Sequence, residues 1–333
     1  MTTKVASLDD FEGETVALWP WSRLGDRISV TPVPHISDVG ELAHRLEPFE
    51  IIVAMRERTP ITRDLVRRLP NLRLLVTTGP GNAALDLTAL AEHGVTVSAS
   101  CYSVDSTVEM TWALLLAAAR RIPAQDRAIK AGRWDHLIGP QLYGRTLGLV
   151  GLGRIGSRAA RVAQAFGMRV TAWSENLTAE RCAEVGVELA TREGLFGESD
   201  FVSVHILGSE RARGYVTAAD IARMKKSAYF VNTSRGFIVD EAALVDALAA
   251  GAIAGAGLDV FVDEPLPEDH PLRGLGNTVL TPHSGYVAVD LYEQWGREIV
   301  HDIETYLNGE PANTISPEQP FLDMARWRWG SQD

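Results

Sequence analysis

Thr146-Leu147-Gly148-Leu149-Val150-Gly151-Leu152-Gly153-Arg154-Ile155-Gly156 is the stretch that sets the fold of this chain. Thr146 to Val150 is a short apolar run of strand character, and Arg154 to Phe166 has helical spacing. Gly151, Gly153 and Gly156 therefore lie where a strand ends and a helix opens. The first position permits a tight turn, the second lets backbone approach a pyrophosphate, and the third lets helix and strand pack closely. Amides at the helix start, reinforced by the helix dipole, favour phosphate charge there. A glycine-rich connection of no special purpose would match the same three glycines. Strands on both sides favour a dinucleotide cradle.

Working outward, Arg169-Val170-Thr171-Ala172-Trp173 reads as the next strand. Phe201 to His205, Ala228 to Asn232, Ala254 to Leu258 and Thr278 to Leu280 continue the series, and Asp240 is placed to cap a helix reaching Ala250. Upstream, Val16 to Trp19, Ile51 to Ala54, Leu74 to Val76 and Val95 to Val97 read as buried strands, with a helix from Asp86 to His93 stopped by Gly94. Such alternation predicts an α/β chain with parallel sheets covered on both faces. Asp105 to Arg121 predicts a long helix closed by Pro123, apolar over enough of its circumference to expect burial between domains or subunits. A last helix is expected from Val287 to Leu307, followed by a tail ending in Trp327-Arg328-Trp329, too aromatic to lie wholly in water.

A length of 333 residues allows two domains, each able to bury a core. The net charge of -11 argues against a nucleic-acid or anionic-membrane surface, though not against a local basic pocket. Cys101 and Cys182 have neither metal-ligand nor disulfide spacing around them and read as reduced thiols. Met1 to Glu14 lacks an apolar signal core, and the longest apolar run, Trp112 to Ala119, is far below the roughly 18–20 residues of a membrane span. A cytoplasmic protein is expected.

Three later loops carry complementary chemistry. Arg235 follows a strand in Asn232-Thr233-Ser234-Arg235-Gly236, Glu264 lies in Asp259-Val260-Phe261-Val262-Asp263-Glu264-Pro265, and His283 ends Thr281-Pro282-His283. Ligands of open parallel sheets bind at the carboxyl ends of strands. An arginine fork grips a carboxylate at two points. A histidine titrates near neutrality and delivers a proton to an oxygen gaining negative charge, and a carboxylate partner favours its imidazolium form. Singly, each residue reads as a surface arginine, a member of a solvated acidic loop, or a turn cap. Together, behind a dinucleotide turn, they describe reduction of a 2-keto acid. At the ribose end, Trp173-Ser174-Glu175-Asn176 puts Ser174 where an acid would select NAD, with Glu175 one later and no arginine before Arg181. NAD is expected, with NADP the alternative.

From about Leu72 to Pro311 these motifs, in this order, resemble the D-isomer-specific 2-hydroxyacid dehydrogenases. The resemblance implies two Rossmann-like or flavodoxin-like domains, the dinucleotide domain (101–289) inserted into a substrate domain (1–100 plus 290–333). It implies that Arg235 binds and polarises substrate, His283 is the acid/base and Glu264 orients it. His205, Thr233, Asp259 and Gly285 would line the cofactor beside Arg154 and Ile155, with no metal involved. Backbone of Thr77-Thr78-Gly79-Pro80-Gly81-Asn82 would hold the substrate carboxylate through Thr78, Gly79 and Gly81, although Pro80 has no N–H to offer. A homodimer built through the dinucleotide domains, involving the helix from Asp105, is also implied. Two rival functions share this pattern: a non-catalytic NAD-binding regulator, and a dehydrogenase of another small anion such as phosphite. Formate is disfavoured, since the resembling formate enzymes carry glutamine in place of Glu264.

Overall fold

The computed structural model describes residues 2–10 and 13–323. The tail residues Trp327 to Trp329 lie outside that range. The chain divides into two compact units, Met1–Ser103 with Val287–Asp333, and Val104–Tyr286, so the second interrupts the sequence of the first.

The first unit is built on a parallel sheet of β1 (Thr3–Leu8), β2 (Ile28–Val33), β3 (Ile51–Ala54), β4 (Leu74–Thr77) and β5 (Thr96–Ala99), in the order β2-β1-β3-β4-β5. Ile52 stands opposite Ala6 on one side and Leu75 on the other. Every residue of β3 and β4 is buried, as expected when helices cover both faces of a sheet. The long helix Val289–Leu307 presents Leu291, Trp295, Ile299 and Ile303 to this unit at four-residue spacing. Trp295 Nε1 donates to the Cys101 carbonyl at 2.7 Å. Trp19 lies only 2.5 Å from where a Gly296 side chain would begin, so glycine is needed there.

Two expectations fail in this unit. Val16 to Trp19 is not a strand: a short helix occupies Glu14–Leu18, opened by Gly13 at φ 72°. The Asp10 carboxylate fixes its start by accepting from the Thr15 hydroxyl at 2.6 Å and the Thr15 amide at 3.3 Å. A four-residue apolar run has no periodicity of its own, and this local hydrogen bonding decides it. The strands missed are β1, in a stretch that reads as polar, and β2, which holds Pro32 and is an edge strand where a missing N–H is tolerated.

The second unit carries β6 (Thr146–Val150), β7 (Arg169–Trp173), β8 (Glu188–Leu189), β9 (Phe201–Val204), β10 (Tyr229–Asn232), β11 (Gly255–Leu258) and β12 (Thr278–Leu280). All are parallel, in the order β12-β11-β10-β9-β6-β7-β8, the doubly wound arrangement. The helix Asp105–Ala119 packs on this unit's own sheet: Leu114 Cβ lies 2.9 Å from where a Gly257 side chain would start. That contact accounts for the small residues of β11. Pro123 does not close this helix. Arg121 turns left-handed at φ 54°, and Pro123 sits in the first turn of the next helix, Ile122–Lys130, where its lack of an N–H costs nothing. Among the described residues no helix is long and apolar enough to cross a membrane. Cys101 and Cys182 are buried, and burial pushes both thiols upward.

Asp302, fully buried on the last helix, accepts from Asn313 Nδ2 at 2.7 Å through Oδ1, while Oδ2 has no partner among the described residues. Burial pushes its pKa up to about 8; the Asn313 bond opposes this and the charge of Glu298 adds to it. Folding therefore favours the protonated acid. Stability is unaffected below the unfolded pKa of about 4, falls as pH rises, and levels off above about 8. Asp302→Asn keeps an oxygen for Asn313 and removes the charge. Its Tm should match the parent at pH 4 and exceed it by about 5 °C at pH 8.5. Equal thermal melts at both pH values would refute this account.

Candidate active site

β6 and β9 are neighbours from which the chain winds in opposite directions, so their carboxyl ends form the crevice typical of ligand sites in such sheets. Gly151 ends β6 at φ 99°, and a side chain there would begin 2.7 Å from the His205 carbonyl. A Gly156 side chain would collide with the carbonyl of Gly151, so that glycine lets the helix Arg154–Ala165 close on the turn. At Gly153 nothing lies within 4 Å of the side-chain position. The exposed backbone of Gly153 and Arg154, with Ile155 half-buried behind them, thus opens a helix start onto free space. A dinucleotide pyrophosphate fits this cradle.

His205 follows β9, and its Nε2 is 3.0 Å from Ser203 Oγ. Burial pushes its pKa down to about 4, so it is an uncharged neighbour of the turn at neutral pH. At the end of β7, Ser174 is half-buried and Glu175 exposed. The Glu175 amide donates to Tyr215 Oη at 3.0 Å, and the Tyr215 and Trp173 rings lie 5.4 Å apart. Arg192 sits 4.9 Å over Trp173 and is held by Asp220 through bonds of 2.8 and 2.6 Å. Tyr215 and Arg192, some twenty to forty residues from Trp173 in sequence, give no local signal of this role. Arg181 is tied to Ser157 Oγ at 2.9 Å and Glu184 at 2.8 Å.

The loops after β10, β11 and β12 hold the three reactive candidates. Asn232 shapes the first: its amide group donates to the Arg235 carbonyl and accepts from the Ser234 amide. The Ser234 hydroxyl donates to the Ile206 carbonyl, and Thr233 Oγ1 meets Thr111 Oγ1 at 2.7 Å. Gly236 has no room for a side chain because the Phe261 backbone lies against it. Arg235, half-buried, donates from Nη1 to the Ser234 carbonyl. Glu264 Oε1 accepts from the Phe261 amide at 2.9 Å, and Oε2 bonds His283 Nδ1 at 2.6 Å.

Asp259, 1% exposed, accepts from the Ser284 and Gly285 amides at 2.9 and 2.8 Å and from the Thr281 hydroxyl. Its carbonyl takes the His283 amide at 2.7 Å, and His283 adopts φ 51°. Both carboxylate oxygens of Asp259 are thus engaged in building the His283 loop, a role the sequence alone did not indicate. Burial by itself would raise the Glu264 pKa. The bond and charge of His283, with the Phe261 amide and the charge of Arg235, outweigh it and hold Glu264 below the usual carboxylate range.

In the first unit, the Thr78–Asn82 loop leaves the end of β4. The Gly79 N–H, expected to face a substrate carboxylate, donates to Ser100 Oγ at 2.9 Å. Thr78 N–H donates to the Ala54 carbonyl at 3.0 Å, and Thr78 Oγ1 accepts from the Arg56 amide. Of the three residues expected here, Gly81 alone keeps an amide without a partner among the described residues.

A doubly wound sheet with this glycine turn defines a dinucleotide-binding α/β protein, and a histidine–carboxylate pair among its strand-end loops is the equipment of an oxidoreductase. Residues 112–285 match the D-isomer specific 2-hydroxyacid dehydrogenase, NAD binding domain. The chain is 37% identical over 267 residues to a glyoxylate reductase of Korarchaeum cryptofilum, covering 78% of this chain and 80% of that protein. It is also 37% identical over 279 residues to a D-3-phosphoglycerate dehydrogenase of Methanocaldococcus jannaschii, covering 83% of this chain but 53% of the longer relative. A phosphoglycerate oxidoreductase structure from Vibrio cholerae O395 superposes with a TM-score of 0.88 at 35% identity, over 92% of this chain and all of that one. The chain belongs to the D-isomer specific 2-hydroxyacid dehydrogenase family.

The open space at Gly153 and the crowding at Gly156 separate binding from folding. Gly153→Ala should melt within about 2 °C of the parent yet weaken NADH binding severalfold, whereas Gly156→Ala should lower Tm by more than about 5 °C. Thermal melts with NADH fluorescence titrations check both; equal melting losses would contradict the geometry.

Proposed function

We propose that this chain moves hydride reversibly between C4 of NAD(H) and C2 of a small 2-keto/D-2-hydroxy acid. The bond between His283 Nδ1 and Glu264 Oε2 carries the reading, because it commits one ring nitrogen to orientation and leaves Nε2 for proton exchange. The cradle at Gly151, Gly153 and Gly156 would hold the pyrophosphate, with His205, Thr233 and Gly285 alongside. The nicotinamide, when bound, supplies or accepts the hydride.

In reduction, Arg235 grips the substrate carboxylate and polarises the carbonyl as its oxygen gains negative charge. His283 Nε2 delivers the proton to that oxygen, and Glu264 orients the ring through Nδ1. In oxidation, neutral His283 takes the hydroxyl proton back. Because the Glu264 pKa is lowered, its charge persists as pH falls through the ordinary carboxylate range, and the pair stays intact at mildly acidic pH. In the substrate loop, the amide of Gly81 is the donor proposed for the carboxylate.

NAD over NADP is supported by Glu175, which would repel a 2′-phosphate, and by the pairing of Arg181 with Glu184. The histidine–glutamate pair also favours an enzyme over a regulator that only senses the dinucleotide, and 2-keto acids over formate. A homodimer is supported by apolar side chains on the 122–143 stretch, where Trp134 is 81% and Ile138 94% exposed.

His283→Ala should lower kcat about a thousandfold while leaving the NADH dissociation constant within about threefold. Glu264→Gln should lower kcat for reduction at least about tenfold while leaving the NADH dissociation constant within about threefold, because the imidazole loses the carboxylate that orients it. Unchanged kcat in the histidine variant, or no NADH or NADPH oxidation by the parent with glyoxylate, hydroxypyruvate, pyruvate, phenylpyruvate or 2-ketoglutarate, would refute the enzyme. Ile138→Asp should turn a dimer into a monomer by light scattering; a parent that is already monomeric rules the dimer out.

A further inference from the structure

The segment following the last helix runs along the edge of the first unit's sheet and ends on the substrate loop. Ser98 Oγ donates to the Ala312 carbonyl at 2.8 Å, the Ala99 amide to the Asn313 carbonyl at 3.0 Å, and the Ile315 amide to the Val97 carbonyl at 2.9 Å. These bonds cover β5, which would otherwise expose an unpaired edge. Ile315 is buried in the core, and Leu322 packs against it. The Leu322 amide then donates to the Pro80 carbonyl at 2.7 Å. Between these anchors the Phe321 ring edge fills the place where a Gly81 side chain would be, and the Pro320 carbonyl lies 2.7 Å from the same point. Phe321 nevertheless remains 60% exposed.

An aromatic ring fixed by its backbone neighbours, in contact with Gly81 and largely open to solvent, is placed to touch whatever Gly81 binds. The cation packed on Gly79 is already engaged: Arg56 Nη1 donates to the Thr78 carbonyl, Nη2 lies 3.3 Å from Glu57, and the guanidinium sits 5.1 Å over the Tyr102 ring. Beside Gly81 the exposed side-chain surface is thus the Phe321 ring, with the Pro320 carbonyl behind it and the Arg56 guanidinium already engaged. We propose that Phe321 is a specificity-determining residue that walls the substrate side group and favours 2-keto acids with an uncharged, apolar substituent on C3. This rests on the reading that the Gly81 amide holds the substrate carboxylate. Recognition is by area removed from water, so it scales with the side group and vanishes for glyoxylate, which has none.

The test compares kcat/KM of parent, Phe321→Ala and Phe321→Leu for glyoxylate, pyruvate, phenylpyruvate and 2-ketoglutarate, with thermal melts and NADH titrations beside them. The parent should prefer phenylpyruvate to 2-ketoglutarate. Phe321→Ala should lower kcat/KM for phenylpyruvate about 30-fold, change glyoxylate less than about threefold, and leave Tm and NADH affinity unchanged, with Phe321→Leu intermediate. An equal loss on all four substrates, no loss on any, or a parent that prefers 2-ketoglutarate overturns the proposal while the dehydrogenase reading stands. A parent that turns over none of the four, yet binds NADH, sinks both.

Discussion

The buried carboxylate of Asp259 is the constraint on which the reactive pair depends. At the end of β11 it gathers the Thr281 hydroxyl and the Ser284 and Gly285 amides, while its carbonyl takes the His283 amide. These four contacts hold His283 at φ 51°, in the left-handed region that a non-glycine residue occupies only under such restraint. With the backbone fixed, the ring meets Glu264 across 2.6 Å. A histidine on an untethered loop would lose entropy in reaching that alignment; here folding has already fixed it.

The same economy of position operates in each unit separately. In the second, Gly151 and His205 leave adjacent parallel strands from which the chain winds to opposite sides, and the missing side chains at 151 and 156 let backbone occupy the crevice wall. In the first, Asp9 and Arg56 adopt left-handed φ values just beyond the ends of β1 and β3. The Asp9 carboxylate accepts from Thr59 and meets His35 Nδ1 at 2.8 Å. Unusual backbone thus clusters where parallel strands end, and side-chain hydrogen bonds hold it there.

The parts legible in the sequence are those where one residue type has one physical use. Gly151 and Gly156 are demanded by close backbone approach, and Asp240 caps its helix by accepting from the Ala243 amide. The apolar runs of β3, β4, β6 and β9 are buried on both faces and could be little else. Reading fails where the deciding partner is distant. Val16 to Trp19 folds as a helix because Asp10 holds Thr15 and Trp19 packs on Gly296, which lies far along the chain. The part Asp259 plays in building the His283 loop is visible only once its partners at 281, 284 and 285 are seen. The bond that engages the Gly79 amide depends on Ser100, some twenty residues on.

Arg235, Glu264 and His283, in the roles proposed for them, leave the substrate open. In the proposed reaction they would address the carboxylate, carbonyl and proton that every 2-hydroxy acid shares, and such chemistry is indifferent to the rest of the molecule. Discrimination must come from surface that meets the variable part, and apolar surface does so in proportion to the area it covers. A loop holding Pro80 has one donor fewer than its length suggests, and the bond from Gly79 to Ser100 removes another. On the proposed reading carboxylate recognition is narrowed to few amides, and side-group contacts would supply a larger share of the binding difference between competing acids. On that reading a residue that touches Gly81, as Phe321 does, would influence selectivity more than any member of the reactive set.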